Sequence, residues 1–221
     1  MKKYAVIVAA GSGTRMNNPL PKQFLLLQNK PLIYYSILRF LEAFEDLQII
    51  LVLPHEHISI GQEVIDGYFD HKRIQITEGG RTRFHSVQNG LKLIEEEAII
   101  FVHDGARALL SAGLIQRCYD AAVEYGTAVP VVRSRDSLRV IIGEENSPVE
   151  RESIRLVQTP QTFHSTILLA AYKIDYKDRF TDDATVVETH GLKVRLVEGE
   201  ENNFKITYPS DLLHAESLLL Q

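Results

Sequence analysis

Short apolar runs alternate with segments of helical spacing over the first 132 residues. The runs at 4–10 (YAVIVAA), 47–54 (LQIILVLP), 73–77 (RIQIT), 98–104 (AIIFVHD) and 126–132 (GTAVPVV) are rich in β-branched residues. Several lack polar alternation, which predicts strands buried on both faces. Between them, 31–44, 84–97 and 111–125 carry apolar residues at helical spacing, and Pro31 and Ser111 suit helix starts. Strand and helix in alternation imply parallel strands joined by right-handed crossovers. The predicted fold is therefore α/β, a doubly wound, mostly parallel sheet.

The alternation breaks after Val132. The segment RSRDSLRVIIGEENSPVERESIRLVQTP has no helix between its two extended pieces, SLRVII and ESIRLVQ, and GEENSP between them is turn-like. A projecting β-hairpin is predicted, and two strands alone are marginal in water unless another surface covers them. A homodimer through an arm at about 134–158 follows as an expectation. Beyond it the pattern predicts a helix near 165–176, a helix over 181–191, a strand at 193–199 and a closing helix from about 208. With no linker, repeat or low-complexity tract, residues 1–221 read as one domain with an arm.

Composition narrows the class without naming it. Of the 221 residues, 45% are apolar and 24% charged, as in ordinary globular proteins. No apolar run reaches the ~18 residues of a membrane span. The opening MKKYAVIVAAGSG faintly imitates a signal peptide, but it leads into Gly-Ser-Gly-Thr-Arg instead of a cleavage site. The lone Cys118 has no internal disulfide partner, which fits a reducing cytoplasm. A net charge of −5 argues against a nucleic-acid binder but leaves room for a small anionic ligand held by a few placed cations.

Such cations stand after the first predicted strand, in AAGSGTRMNNPLPKQF. Ligands of open parallel sheets bind beyond the carboxyl ends of the strands. Glycines there let backbone N–H groups approach an anion. The loop is neither of two familiar phosphate loops: Gly13 is followed by Thr14-Arg15 rather than Gly-Lys-Ser/Thr, and Met16 takes the place of a third glycine. What remains is a glycine turn with Arg15 and Lys22 at its exit, suited to gripping phosphate oxygens. Spacing alone leaves a plain strand-to-helix turn with solvated side chains equally open.

The opening VAAGSGTRMNNPLPKQF resembles the signature of the sugar-nucleotide pyrophosphorylase superfamily, which joins an NTP to a phosphate ester and releases pyrophosphate. Further along, EGGRTRFHSV, VHDGAR, QTPQTF, TDDATVVE, LVEGEENNFKIT and YPSDLLHAE occur in order. Together they resemble the 2-C-methyl-D-erythritol 4-phosphate cytidylyltransferase family over nearly the whole chain. The resemblance implies a Rossmann-like nucleotidyltransferase fold, CTP and a polyol phosphate as substrates, Mg²⁺ as cofactor, and no nucleic-acid or membrane partner.

Carried over residue by residue, the resemblance makes Arg15, Lys22 and Lys205 catalytic cations around the CTP phosphates. Ala9, Ala10, Gly11, Ser12 and Gly13 line the nucleotide, and Gly79, Gly80, Arg83 and Ser86 surround the base. Asp104 and Arg107 face the substrate, Asp104 also helping to place the metal. Ser137 and Arg151 in the arm contact substrate, Arg151 across the dimer. The family's direct attack of one phosphate on another needs no protein nucleophile. Four positions depart from the family pattern: Arg81 replaces a frequent acidic residue, Ala108 a proline, and Ser137 and Arg139 a Thr and a Lys.

From the residues alone, Lys205 reads as a strand charge, Ser86 as a first-turn helix residue, Asp104 as a helix cap and Arg139 as a hairpin ion pair. His103 and Cys118 read as structural. The HEH at 55–57 reads as surface, and Asp182 and Asp183 as a helix N-terminal pair. Three alternative functions stay open. Cytidylyltransferases for other polyol phosphates such as ribitol 5-phosphate tend to read Ala-Gly-Gly and His-Asp-Ser-Val-Arg, where this chain has AAGSG and HDGAR. A non-catalytic nucleotide-binding subunit is a second, although Arg15 and Lys22 are both present. A glycosyltransferase is the third, but HDG lacks the second Asp of its metal motif.

Overall fold

The computed structural model describes every residue except Ser12, Asn17, Pro19 and Gln221. The first half runs β1 (Lys2–Val8), a two-residue pair β2 (Leu26–Leu27) and β3 (Lys30–Pro31), α1 (Leu32–Ala43), β4 (Gln48–Leu53), α2 (Ile58–Tyr68), β5 (Ile74–Glu78), α3 (Arg83–Leu91), β6 (Ala98–Asp104), α4 (Ala112–Tyr125) and β7 (Thr127–Arg133). The second half adds β8 (Leu138–Ile142), β9 (Glu145–Val149), β10 (Arg155–Val157), β11 (Gln161–His164), α5 (Ser165–Ala171), α6 (Asp183–Thr189), β12 (Leu196–Glu198) and α7 (Pro209–Leu219).

The main sheet is ordered β10-β7-β11-β6-β1-β4-β5, with β12 also paired to β7. β1 lies parallel to both β4 and β6, and β4 parallel to β5. Alternate residues of the central strands feed two separate cores. Ile7, Leu51 and Phe101 pack with α1, α2 and α4, while Val6, Val52 and Val102 pack with α3, α5 and α6. Burial on both faces is why these strands read as continuous apolar runs. Helix ends follow local chemistry: Ser111 accepts from Leu114 N–H to open α4, and Gly126 at φ +81° closes it.

The α/β sheet with flanking helices agrees with the pattern, and the strands are mixed, mostly parallel. Four local features differ. β11 runs antiparallel between β6 and β7. Its buried Gln161 and Thr162 give no hydropathy signal; Gln161 is held inside by Asp182 Oδ2 at 2.9 Å and Ala184 N–H at 2.7 Å. α2 went unpredicted because its apolar face is narrow and broken by Gly61. A Cβ at Gly61 would lie 2.1 Å from Leu53 Cδ1, so glycine lets this helix sit close on β4. α3 stops at Leu91 and not at 97, where three glutamates would crowd the negative end of the helix.

The hairpin is the fourth difference. β8 pairs with β9, not with ESIRLVQ, and the turn shrinks to Gly143-Glu144 with Gly143 at φ +62°. Arg155–Val157 instead pairs antiparallel with Val131 to Arg133 of β7. Ile141 and Ile142 on β8 are 75% and 76% exposed. No helix among the described residues is long and apolar enough to cross a membrane.

Candidate active site

Three loops meet at the carboxyl ends of β1, β5 and β6. Their backbones are tied together: Ala9 N–H donates to Val52 O at 2.9 Å, Gly79 N–H to Leu53 O at 2.7 Å and Gly105 N–H to Val8 O at 3.0 Å. Gly79 presses so closely on the first loop that a Cβ would lie 2.4 Å from Ala10 Cβ. Gly13 turns at φ +64° against Lys22, where a Cβ would be 3.1 Å from the lysine Cγ. Buried Gln23 donates to Ala9 O at 2.7 Å and closes the loop on itself. The result is a cavity of about 510 Å³ whose wall holds five cations, Arg15, Lys22, Arg81, Arg83 and Lys205, against one carboxylate, Asp104. A chain of net charge −5 thus concentrates positive charge where its loops converge.

Lys22 Nζ donates to Ile206 O at 2.9 Å. Burial, followed by repulsion from Lys205 and Arg15 and opposed by Asp104, lowers its pKa to about 8. Arg15 lies over the Tyr208 ring, 5.8 Å from its centre. Asp104, at the end of β6, accepts from Arg83 Nε through Oδ1 at 3.0 Å and from Lys205 Nζ through Oδ2 at 2.8 Å. Burial alone would raise its pKa; Arg83 and Lys205 outweigh that and hold the carboxyl well below the usual range. Arg83 is in turn bidentate to buried Asp183, at 2.9 and 2.8 Å, and Tyr172 donates to the same carboxylate at 2.6 Å.

Behind Asp104 lies a fully satisfied relay. Asp104 N–H donates to Thr159 Oγ1 at 3.0 Å, and Thr159 Oγ1 lies 3.1 Å from His103 Nδ1. His103 Nε2 faces Arg107 O at 3.2 Å. The carbonyl requires a proton on Nε2, so Nδ1 accepts from the threonine hydroxyl and the imidazole is neutral. Burial in turn lowers the His103 pKa to about 3. His103 is structural in the geometry, as the residues suggested.

A second hollow of about 280 Å³ opens beside the first and shares Arg83, Asp104 and Lys205 with it. Arg107 lines its wall, held by main-chain oxygens: Nη1 donates to Asn203 O at 2.7 Å and Nη2 to Val157 O at 3.4 Å. Gln158, Thr159, Gln161 and Asp182 complete its polar side.

The structure brings Ala9, Ala10, Gly11, Gly13, Arg15, Lys22, Gly80, Arg83, Ser86, Asp104 and Lys205 to the larger cavity. Gly79 stands behind that wall, and Arg107 lines the smaller hollow. Ser12 lies outside the described residues. Ser137 and Arg151 are exposed on the arm and line neither hollow within one chain. Arg139 Nε donates to Asn146 across the hairpin. No group of three metal-ligating side chains occurs among the described residues.

Sequence reasoning missed Asp183, Tyr172, Thr159 and Gln23. Of the pair at 182–183, Asp182 does cap α6, accepting from Thr185 N–H at 2.9 Å, whereas Asp183 turns inward to Arg83. One signal was available: an Asp at the first position of a helix whose neighbours Ala184, Val186 and Val187 are apolar lies on the buried side.

Residues 4–221 match the model of the 2-C-methyl-D-erythritol 4-phosphate cytidylyltransferase family. A protein of that name from Bacteroides fragilis is 43% identical over 220 residues, covering 99% of this chain and all of its own. The crystal structure of 2-C-methyl-D-erythritol 4-phosphate cytidylyltransferase from Thermus thermophilus superposes with a TM-score of 0.77 at 35% identity, covering all of both chains. The 4-diphosphocytidyl-2C-methyl-D-erythritol synthase structure from Anaerococcus prevotii gives a TM-score of 0.85 at 25% identity, covering 100% of this chain and 99% of the other.

Proposed function

The chain belongs to the 2-C-methyl-D-erythritol 4-phosphate cytidylyltransferase family, and on that premise we propose how its own residues divide the work of the reaction. The enzyme transfers CMP from CTP to 2-C-methyl-D-erythritol 4-phosphate, forming 4-diphosphocytidyl-2-C-methyl-D-erythritol and pyrophosphate. A phosphate oxygen of the acceptor forms a bond to the α-phosphorus of CTP. The bond from that phosphorus to the bridging oxygen of the β-phosphate breaks, and pyrophosphate leaves with the electron pair.

The observation that carries the assignment is the pair of hollows joined at Arg83, Asp104 and Lys205. CTP occupies the larger one, its triphosphate among Arg15, Lys22 and Lys205 and its base against Gly79, Gly80 and Ser86. The backbone of Ala9, Ala10, Gly11 and Gly13 follows the ribose and phosphates. The acceptor occupies the smaller one, facing Arg107 and Asp104. Two reactants are thereby held end to end, and positioning with electrostatic stabilisation supplies the rate. Arg15 and Lys22 neutralise charge that grows on the α-phosphate and the leaving group. No protein nucleophile is required, and burial pushes the Cys118 thiol up to about 12, away from reactivity.

Members of this family typically use a divalent metal, and Mg²⁺ is the ion proposed here. The donor set fits: a hard ion held mainly by phosphate oxygens and water needs few carboxylates, and Asp104 is the one on the cavity wall. Bound with the triphosphate, Mg²⁺ supplies neutralisation of phosphate charge. Asp104 would hold it through Oδ2, the oxygen that Lys205 now occupies.

Residues 1–221 are read as one nucleotidyltransferase domain that forms a homodimer through the arm at 134–158. Support comes from Val140, Ile141 and Ile142, at 44%, 75% and 76% exposure on a two-stranded sheet. Ser137 and Arg151 on the same arm then reach the acceptor hollow of the partner. A reducing, cytoplasmic setting accords with the lone buried Cys118.

The test is pyrophosphate release with Mg²⁺ and CTP, offering methylerythritol phosphate and ribitol 5-phosphate in parallel, with sedimentation of the same sample. Release with methylerythritol phosphate alone, from a dimer that Ile141→Asp dissociates and inactivates, is the expected result. Release with ribitol 5-phosphate alone would overturn the acceptor, and full activity of a monomeric Ile141→Asp would overturn the arm.

A further inference from the structure

Asp183 sits outside both hollows yet belongs to the most tightly bonded group of charges near them. Its side chain is fully buried. It accepts three hydrogen bonds, two from Arg83 at 2.9 and 2.8 Å and one from Tyr172 at 2.6 Å. Arg83 spends its three nitrogens on two carboxylates, Nη1 and Nη2 on Asp183 and Nε on Asp104. A guanidinium is planar and rigid, so anchoring its fork on one carboxylate fixes where Nε points. The anchor is braced from the side, since Tyr172 stacks on Phe84, the residue after Arg83, at 4.8 Å and 16°.

The two edges of Asp104 therefore differ. Oδ1 meets a guanidinium that cannot turn without breaking its bidentate pair with Asp183. Oδ2 meets Lys205, a flexible point charge whose side chain is 41% exposed. We propose that Asp183 is a positioning residue for the transfer: through Arg83 it holds the Oδ1 edge of Asp104 still, leaving the Oδ2 edge as the one that changes partner when substrates enter. Asp183 also divides the charge of Arg83 between two anions, so Asp104 keeps negative character for an incoming partner. Without it the guanidinium is free to fork onto Asp104 itself and close both edges.

This inference rests on the assignment of Asp104 to the reaction, so its test includes a control for that assignment. Asp183→Asn keeps the shape of the side chain and removes its charge; Tyr172→Phe keeps the bidentate pair and the stack on Phe84 and removes only the hydroxyl's bond to Asp183. Turnover is measured by pyrophosphate release, CTP affinity by calorimetry without acceptor, and folding by thermal melting. In Asp183→Asn, kcat falls roughly 100-fold, the loss typical of a misplaced reacting group. CTP affinity falls far less, by less than about tenfold, because Arg15 and Lys22 are not bonded to Asp183 and Arg83 is the one cavity cation it holds, and the kcat deficit persists well below the melting temperature. Tyr172→Phe shows the same split in milder form.

A merely structural Asp183 gives a lowered melting temperature with parental kcat in the folded fraction, and that result overturns the proposal. Should Asp183→Asn fail to fold, Tyr172→Phe decides: parental kcat there overturns it equally. Asp104→Asn is the control. If it turns over like the parent, the assignment of the site fails, whatever Asp183 does.

Discussion

Replacing Lys22 with arginine separates the charge at this position from its proton. Lys22 is bonded to Ile206 O and lies within reach of Lys205 and Arg15. Burial, then those like charges, bring its pKa from 10.5 to about 8. Keeping it charged there is therefore disfavoured relative to water, and a bound triphosphate offsets that. The sign follows: the cation is needed, so activity is lost as pH rises through about 8. Above that value kcat/KM for CTP falls tenfold per pH unit, because it reports the free enzyme. The kcat plateau extends further, because bound phosphates raise the lysine pKa. In Lys22→Arg the alkaline limb of kcat/KM moves beyond about pH 10, since a guanidinium stays protonated. Lys22→Ala lowers kcat by roughly 100-fold or more at pH 7. The assay is pyrophosphate release from pH 6 to 10. An alkaline limb unchanged in Lys22→Arg, or near-normal turnover of Lys22→Ala, would refute the reasoning.

Asp104→Asn lowers stability at pH 7 by about 2–3 kcal/mol in denaturant titrations, since Arg83 and Lys205 lose a buried partner. Because the folded pKa of Asp104 is held below its unfolded value, that contribution is present above about pH 4 and fades as pH falls, so parent and variant converge in acid. Gly79→Ala drives its new methyl into Ala10, 2.4 Å away, costs about 1–3 kcal/mol and raises the KM for CTP severalfold. An unchanged KM contradicts the close approach of those two loops. Thr159→Val strands Asp104 N–H and His103 Nδ1 and lowers stability by about 1–3 kcal/mol; parental stability shows that the relay is not needed.

What was legible in the sequence was whatever announces itself through periodicity or short motifs. Runs such as AIIFVHD are buried on both faces and read as strands, so the parallel core, the loop after β1 that carries Arg15 and Lys22, and Asp104 at the end of β6 followed directly. β11 did not, because its buried Gln161 and Thr162 are polar, and Gln161 is held inside by hydrogen bonds and not by apolar character. α2 escaped because Gly61 replaces a side chain at its closest approach to the sheet. The hairpin was foreseen but its second strand was misplaced, since Pro148 and the charges around it hide β9 while ESIRLVQ offers a cleaner alternation. In the site, the charged residues and glycines around the larger cavity were found through the family motifs, while Gln23 and Thr159 in the walls were not. Asp183 and Tyr172, which act from 100 and 89 positions away on Arg83, have no local signature; only folding makes them neighbours.

The measurement that bears most directly on the division of labour is a crystal structure with CTP bound. The account predicts the triphosphate between Arg15, Lys22 and Lys205, the base against Gly79 and Gly80, Lys205 drawn off Asp104 Oδ2, and the Arg83–Asp183 pair unchanged. A triphosphate lodged beside Arg107 in the smaller hollow, with Lys205 still on Asp104, would contradict it.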